Sequence, residues 1–300
     1  MYAVTFYLSL PFLYFFSVLP FPVLYLFSDL LFPIIYYVAA YRKKVVFGNL
    51  RASFPEKTEK ERRKIARKFY RHFTDLIFEI LKMRTMSPRS LRKRIRYSNP
   101  ELLQDLYDRG KGLIGMLAHY NNWEWTVAIS DSPQHATAIY KPLHNKYFDR
   151  FMKKARERHG VELLTTRETP RRVLKDHMEG NLVGYGFISD QSPVWEETQY
   201  WARFMNQLTP VFMGAEKLAV RYGLPVIYYA MRKIRRGHYL IDLIPLSMDP
   251  SGTTEHEITD AFHRTLEGII RENPEYWLWT HRRWKLSARK MAEMAEAGTE

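Results

Sequence analysis

The chain has 300 residues, no cysteine and a formal net charge of +14, from 46 Lys+Arg against 32 Asp+Glu. That length allows one large core or two modest domains, and the lack of cysteine excludes disulfides, thiolate nucleophiles and cysteine metal sites. The positive excess suits a polyanionic partner (nucleic acid, anionic lipid or an acidic protein) without choosing among them.

Residues 2–27 are almost wholly apolar, and Asp29 is the one formal side-chain charge before residue 41. Such a stretch is long enough to cross a bilayer. Pro11, Pro20, Pro22 and Pro33 argue against one straight helix, which leaves a bent span, a re-entrant hairpin or an interfacial segment. A basic leader and a cleavage site are both missing, so a signal peptide fits poorly. Arg42-Lys43-Lys44 follows directly, and the positive-inside rule then places the body of the protein in the cytoplasm. This predicts residues 1–40 as a membrane anchor and 41–300 as the functional domain.

Residues 45–56 read as a short connector. Thr58 with Glu61 forms a capping-box pattern. Beyond it Ile65, Phe69, Phe73, Leu76, Ile77 and Ile80 recur at helical spacing, opposite a face bearing Arg62, Arg63, Lys64, Arg67, Lys68 and Arg71. A second basic run holds Arg89, Arg92, Lys93, Arg94 and Arg96. From about residue 110 short apolar runs alternate with helical stretches. Leu113–Leu117, Ala136–Tyr140, Leu182–Ile188, Val226–Met231 and Tyr239–Leu246 read as strands; 123–129, 145–159, 169–179, 212–222 and 255–272 read as helices. The alternation predicts an α/β fold: a largely parallel central sheet flanked by helices, with an N-terminal membrane-associated helical segment. Arg235-Arg236-Gly237 marks the last two strands as an antiparallel hairpin.

Four constellations can carry chemistry. His119 and Glu124 follow the Leu113–Leu117 strand. With His119 ahead of a helix and Glu124 one turn inside it, the carboxylate could orient the imidazole as a general base. Ser189-Asp190-Gln191-Ser192-Pro193 ends a second strand, where α/β proteins place ligands; Asp190 or Gln191 could brace the site or bind an acceptor headgroup. Asn145–His159 presents Lys146, Arg150, Lys153, Lys154, Arg156 and Arg158, cations suited to a phosphate or a developing oxyanion. Last, Trp277, Trp279 and Trp284 alternate with His281, Arg282, Arg283 and Lys285. That mixture suits a membrane interface or phosphorylated headgroup, stacking on single-stranded nucleic acid, or a packed surface helix. His119 and His135 lack zinc-helix spacing, so no metal is expected.

These segments together resemble the bacterial lipid A biosynthesis (late) acyltransferases, within the wider lysophospholipid acyltransferase group. The likeness runs from about residue 45 to 287. It rests on the H-x4-E segment at His119–Glu124, on Asp190-Gln191, on the helix around Arg156–Gly160 and on the ending Pro274–Lys285. The resemblance implies an acyltransferase moving a fatty acyl chain from an acyl-carrier-protein thioester to a hydroxyl of a membrane-embedded lipid A precursor. A lysophospholipid, mannosylated lipid or aminolipid is the alternative acceptor. It implies His119 as the base and Glu124 as its orienting partner. Arg156 or Arg158, Asp190, Gln191, His281, Arg282 and Arg283 would contact substrate. Acyl carrier protein, the acceptor lipid and the membrane are the implied partners, with no nucleic acid, cofactor or metal, at the cytoplasmic face of the inner membrane. The acidic carrier could be steered by the basic faces at 62–71 and 89–96.

Overall fold

The structure, a computed structural model, describes residues 2–297. Pro11 lies inside α1 (Tyr2–Val18), and Pro20 caps the start of α2 (Phe21–Pro33), so the apolar segment folds as two helices with a short break rather than one rod. A π-helical turn, Ile34–Val38, prolongs α2. By length and composition alone, Phe21–Val38 could cross a membrane. Residues 45–56 are not a connector: most of them belong to α3 (Lys43–Ser53), whose Val46 and Leu50 are buried one turn apart. Glycine at 48 hides this helix from a propensity reading. The expected capping box opens α4 (Glu59–Lys82), with Thr58 and Glu61 exchanging hydrogen bonds. The buried face of α4 carries Ile65, Phe69 and Leu76, but also His72, Asp75 and Glu79.

The remaining elements are α5 (Pro88–Arg92), β1 (Ile95–Tyr97), α6 (Glu101–Asp108), β2 (Leu113–Leu117), β3 (His135–Tyr140), α7 (Lys146–Glu157), β4 (Glu162–Thr165), α8 (Thr169–Glu179), β5 (Val183–Ile188), β6 (Tyr200–Phe204), β7 (Gln207–Val211), α9 (Gly214–Tyr222), β8 (Val226–Arg235), β9 (His238–Ser247), α10 (Glu257–Glu272) and α11 (Ser287–Ala297). A 3-10 segment, Trp123–Asp131, lies between β2 and β3.

Seven strands form the central sheet in the order β1-β9-β8-β2-β5-β3-β4, while β6 and β7 pair separately. All pairings in the large sheet are parallel except the β8–β9 hairpin, closed through Arg236-Gly237. Period-two alternation sends Ile114 and Met116 of β2, and Val226, Tyr228 and Ala230 of β8, into one apolar cluster beside α4, α9 and α10. Leu113, Leu117, Ile227, Tyr229 and Met231 face the other cluster, with α5, α6 and α7. The sheet is therefore covered on both faces, as a mostly parallel sheet requires.

The N-terminal helices share this core. Phe32 and Tyr36 join the first cluster and Phe21 the second. Polar bonds fasten α2 to α4. The Tyr25 hydroxyl donates to Glu79 at 2.9 Å and the Ser28 hydroxyl to Asp75 at 2.7 Å, while Arg236 joins Asp29 at 2.8 Å and Asp75 at 2.9 Å. On the outer side Leu8, Phe12, Leu26, Leu30 and Val38 are exposed.

Candidate active site

Strand register builds the site. In the β2–β5 pair, Leu117 sits opposite Ile188. Two residues beyond each, at the carboxyl ends of adjacent parallel strands, stand His119 and Asp190. His119 Nδ1 lies 2.7 Å from Asp190 Oδ1, and the His119 backbone N–H donates to Oδ2 at 3.0 Å. The Trp277 indole donates to the same Oδ2 at 2.8 Å. Burial pushes the Asp190 carboxyl up, but His119 and these donors outweigh it and hold it below the usual carboxylate range. Asp190 is thus a buried acceptor that fixes the imidazole with its proton on Nδ1. The Nε2 lone pair then points outward on a side chain that is 17% exposed. Gln191 Nε2 lies 3.1 Å from that nitrogen, and the Trp123 ring stands 5.0 Å from the imidazole.

Glu124 does not orient His119, contrary to the sequence expectation. It lies inside the first turn of the 3-10 segment, as the pattern requires, but its carboxylate is held by a fork from Arg156 of α7, at 2.8 Å from Nε and 2.7 Å from Nη2. The physical reason is twofold. Register delivers Asp190 to the ring nitrogen, and a bidentate guanidinium satisfies both Glu124 oxygens. Burial alone would lower the Arg156 pKa, yet Glu124 raises it above its ordinary value.

Two asparagines make this turn. Asn121 takes a left-handed φ of 53°, tolerable for asparagine. Its backbone N–H donates to the Tyr276 carbonyl at 2.9 Å and its amide to the Met231 carbonyl at 2.8 Å. Asn122 donates to Glu79 at 2.7 Å, and its side-chain oxygen accepts from Trp125 N–H at 3.3 Å, a helix-capping bond. Glu79 also accepts from Tyr239 at 2.7 Å, and burial pushes its carboxyl up. The polar residues between His119 and Glu124 are therefore structural, and both asparagines are fully buried.

The other predicted site residues separate. Arg158, two positions past Arg156 and so on the other side of the helix, is exposed and donates to the Met86 carbonyl at 3.3 Å. Arg282 is exposed. His281 is half-buried, and burial pushes its imidazole down to about 4. Arg283 is fully buried and donates to the Pro210 carbonyl at 2.6 Å and the Ser192 hydroxyl at 3.1 Å; burial pushes its guanidinium down to about 9. It has no surface to offer a substrate, so its expected contact is replaced by a structural one. Trp277 and Trp279 are likewise buried rather than interfacial. The segment around Trp277 pairs with the loop after β2, its Leu278 N–H donating to the His119 carbonyl at 3.1 Å. Sequence reasoning missed this donor to Asp190. An indole, which must find a partner when buried, was the available signal.

An imidazole held by a buried carboxylate at a strand end, with a clamped guanidinium on the neighbouring helix, has the chemistry to activate a hydroxyl. Over residues 1–286 the sequence matches the family described as bacterial lipid A biosynthesis acyltransferase, which makes it an acyltransferase. The chain belongs to that family. It is 24% identical over 247 residues to the lipid A biosynthesis lauroyltransferase of Escherichia coli (strain K12), covering 81% of this chain and 79% of that protein. It is 23% identical over 240 residues to the lipid A biosynthesis acyltransferase of Haemophilus influenzae, covering 77% and 72%. Among solved structures, the 1-acyl-sn-glycerophosphate (LPA) acyltransferase of Thermotoga maritima matches with a TM-score of 0.38 at 13% identity, covering 84% of this chain and 96% of that one.

Proposed function

We propose that this protein moves a fatty acyl chain from an acyl-carrier-protein thioester to a hydroxyl of a lipid A precursor, at the cytoplasmic face of the inner membrane. His119 Nε2 takes the proton as the acceptor oxygen bonds to the thioester carbonyl carbon. Collapse of the tetrahedral intermediate breaks the C–S bond, and the imidazolium returns the proton to the leaving thiolate. Asp190 keeps the proton on Nδ1 and stabilises the imidazolium, the part played by the acid of a hydrolase triad. Arg156, fixed through Nε and Nη2 by Glu124, keeps Nη1 outside the fork for an acceptor phosphate or the oxyanion. The observation that carries this reading is the 2.7 Å His119–Asp190 contact at the ends of two neighbouring parallel strands.

The exposed basic face of α4 and the run at 89–96 suit an acidic carrier protein. The outer apolar faces of α1 and α2 suit immersion in a bilayer. Asp29 lies at the middle of Phe21–Val38 and is ion-paired to Arg236. A carboxylate at the bilayer centre is costly, so we read the two helices as lying in the interface rather than spanning it.

The test is transfer from acyl carrier protein to a purified lipid A precursor. His119→Ala is expected to lose about 10²–10⁴-fold in kcat, and Asp190→Asn to fall nearly as far. Glu124→Gln should lose less, through acceptor KM. Full transfer by His119→Ala removes the base from the mechanism. A dead Glu124→Gln beside a near-normal Asp190→Asn restores the His–Glu pairing.

A further inference from the structure

His119 is gripped on both ring nitrogens by consecutive residues. Asp190 accepts from Nδ1, and Gln191 stands 3.1 Å from Nε2. The first bond dictates the nature of the second. With the proton on Nδ1, Nε2 carries a lone pair, and a group at this distance must donate to it. The amide nitrogen of Gln191 is such a donor. The nitrogen that has to receive the acceptor's proton is therefore engaged by a side chain of the protein itself.

We infer that Gln191 is a displaceable cap on the catalytic base, which withholds the lone pair from water and yields it to the acceptor hydroxyl. This rests on the general-base reading of His119 proposed above. The backbone beside Gln191 is pinned. Ser192 exchanges hydrogen bonds with buried Arg283, its hydroxyl donating to the Arg283 carbonyl and accepting from Nη1, and Pro193 is buried. Displacement therefore belongs to the Gln191 side chain, which is half-exposed and turns about its own torsions. The Trp123 ring packs 5.0 Å from the imidazole and adds to its confinement.

The cap matters because a thioester is open to water as well as to a lipid hydroxyl. In hydrolysis, His119 Nε2 takes a proton from water, the water oxygen bonds to the carbonyl carbon, the C–S bond breaks, and the thiol leaves with the returned proton, giving a free fatty acid. Water arrives singly and lacks the binding energy that seats a lipid in the site. A neutral amide–imidazole bond biases against such an intruder by about 2- to 10-fold. A docked lipid, held by contacts elsewhere, displaces the same bond with ease. Gln191 thus sets the ratio of transfer to hydrolysis and acts as a specificity residue at the reacting nitrogen.

The experiment compares wild-type protein with Gln191→Met, close in shape but without the donor, and with Gln191→Ala. Free fatty acid and acylated lipid are measured from acyl carrier protein thioester with and without a lipid A precursor. Uncapping is expected to raise acceptor-independent hydrolysis about 2- to 10-fold and to lower the acceptor KM. The double variant His119→Ala/Gln191→Met should lose the extra hydrolysis. Hydrolysis and transfer falling together in both variants, with unchanged thermal unfolding, would overturn the cap and make Gln191 a plain structural or oxyanion group. Extra hydrolysis that persists without His119 instead overturns the general-base reading beneath it.

Discussion

Asp190 and the histidines around it show how single side chains set the working range of the molecule. His263 is buried on α10, its Nδ1 bonded to the Thr259 carbonyl at 2.8 Å. Burial, helped by Arg283, pushes its imidazole down to about 4, and burial does the same to His281. Both folded values lie below the ordinary 6.5, so between these limits the unfolded chain binds more protons than the folded one. Stability from keeping these rings neutral is complete above pH about 6.5 and is lost as pH falls toward 4. The depressed Asp190 carboxyl adds a further loss at lower pH, as it protonates below the usual carboxylate range. Melting temperature in detergent is expected to fall between pH 7.5 and 5.0, and to fall less in His263→Phe. A Tm equal at both pH values contradicts the neutral, buried state of these rings.

At the scale of elements, the turn from β2 into the 3-10 segment has most to teach. Strands β2 and β5 were legible because their apolar runs are short and bounded, and helix α4 because its apolar residues recur at helical spacing. The β8–β9 hairpin was announced by Arg235-Arg236-Gly237, and its turn glycine has a φ of +68°. Strands β1 and β4 sit at the sheet edges and are three and four residues long, too short for a period to show. The β6–β7 hairpin escaped notice because its turn is Met205-Asn206, both at positive φ, with no glycine to mark it. Of the predicted residues, His119, Asp190 and Gln191 come together and Glu124 pairs with Arg156, whereas Arg158 bonds the Met86 carbonyl and Arg283 is buried against Pro210. The His-x4-Glu spacing suggested a local partner, whereas register between strands 71 residues apart in sequence chose Asp190. Substituting the turn tests this. Asn121→Ala is expected to cost about 1–3 kcal/mol from left-handed strain and the lost bond to Met231, and to lower kcat because the loop shifts under His119. Urea unfolding and transfer assays read both. Wild-type stability in this variant would mean that the turn has another support.

Taken whole, the molecule does not divide where its hydropathy changes. The sequence marks a boundary near residue 40, yet Phe21, Phe32 and Tyr36 are buried among residues of the catalytic body, and Tyr25, Ser28 and Asp29 supply partners to Glu79, Asp75 and Arg236. Each buried aromatic is worth about 1.5–3 kcal/mol, against a typical total stability of about 5–15 kcal/mol. Deleting residues 1–40 should therefore yield an aggregating chain without a cooperative unfolding transition, rather than a soluble enzyme. Placing charge on the outer face instead, as in Phe12→Asp with Leu30→Asp, should keep the fold and shift protein from washed membranes to the soluble fraction. A monodisperse, active fragment of residues 41–300 would show that residues 1–40 are dispensable for folding and activity. The order of the chain has a further effect. Trp277, which secures Asp190, is made after every other member of the constellation. A polypeptide that stops at α10 carries the imidazole and its acid without the indole that steadies them.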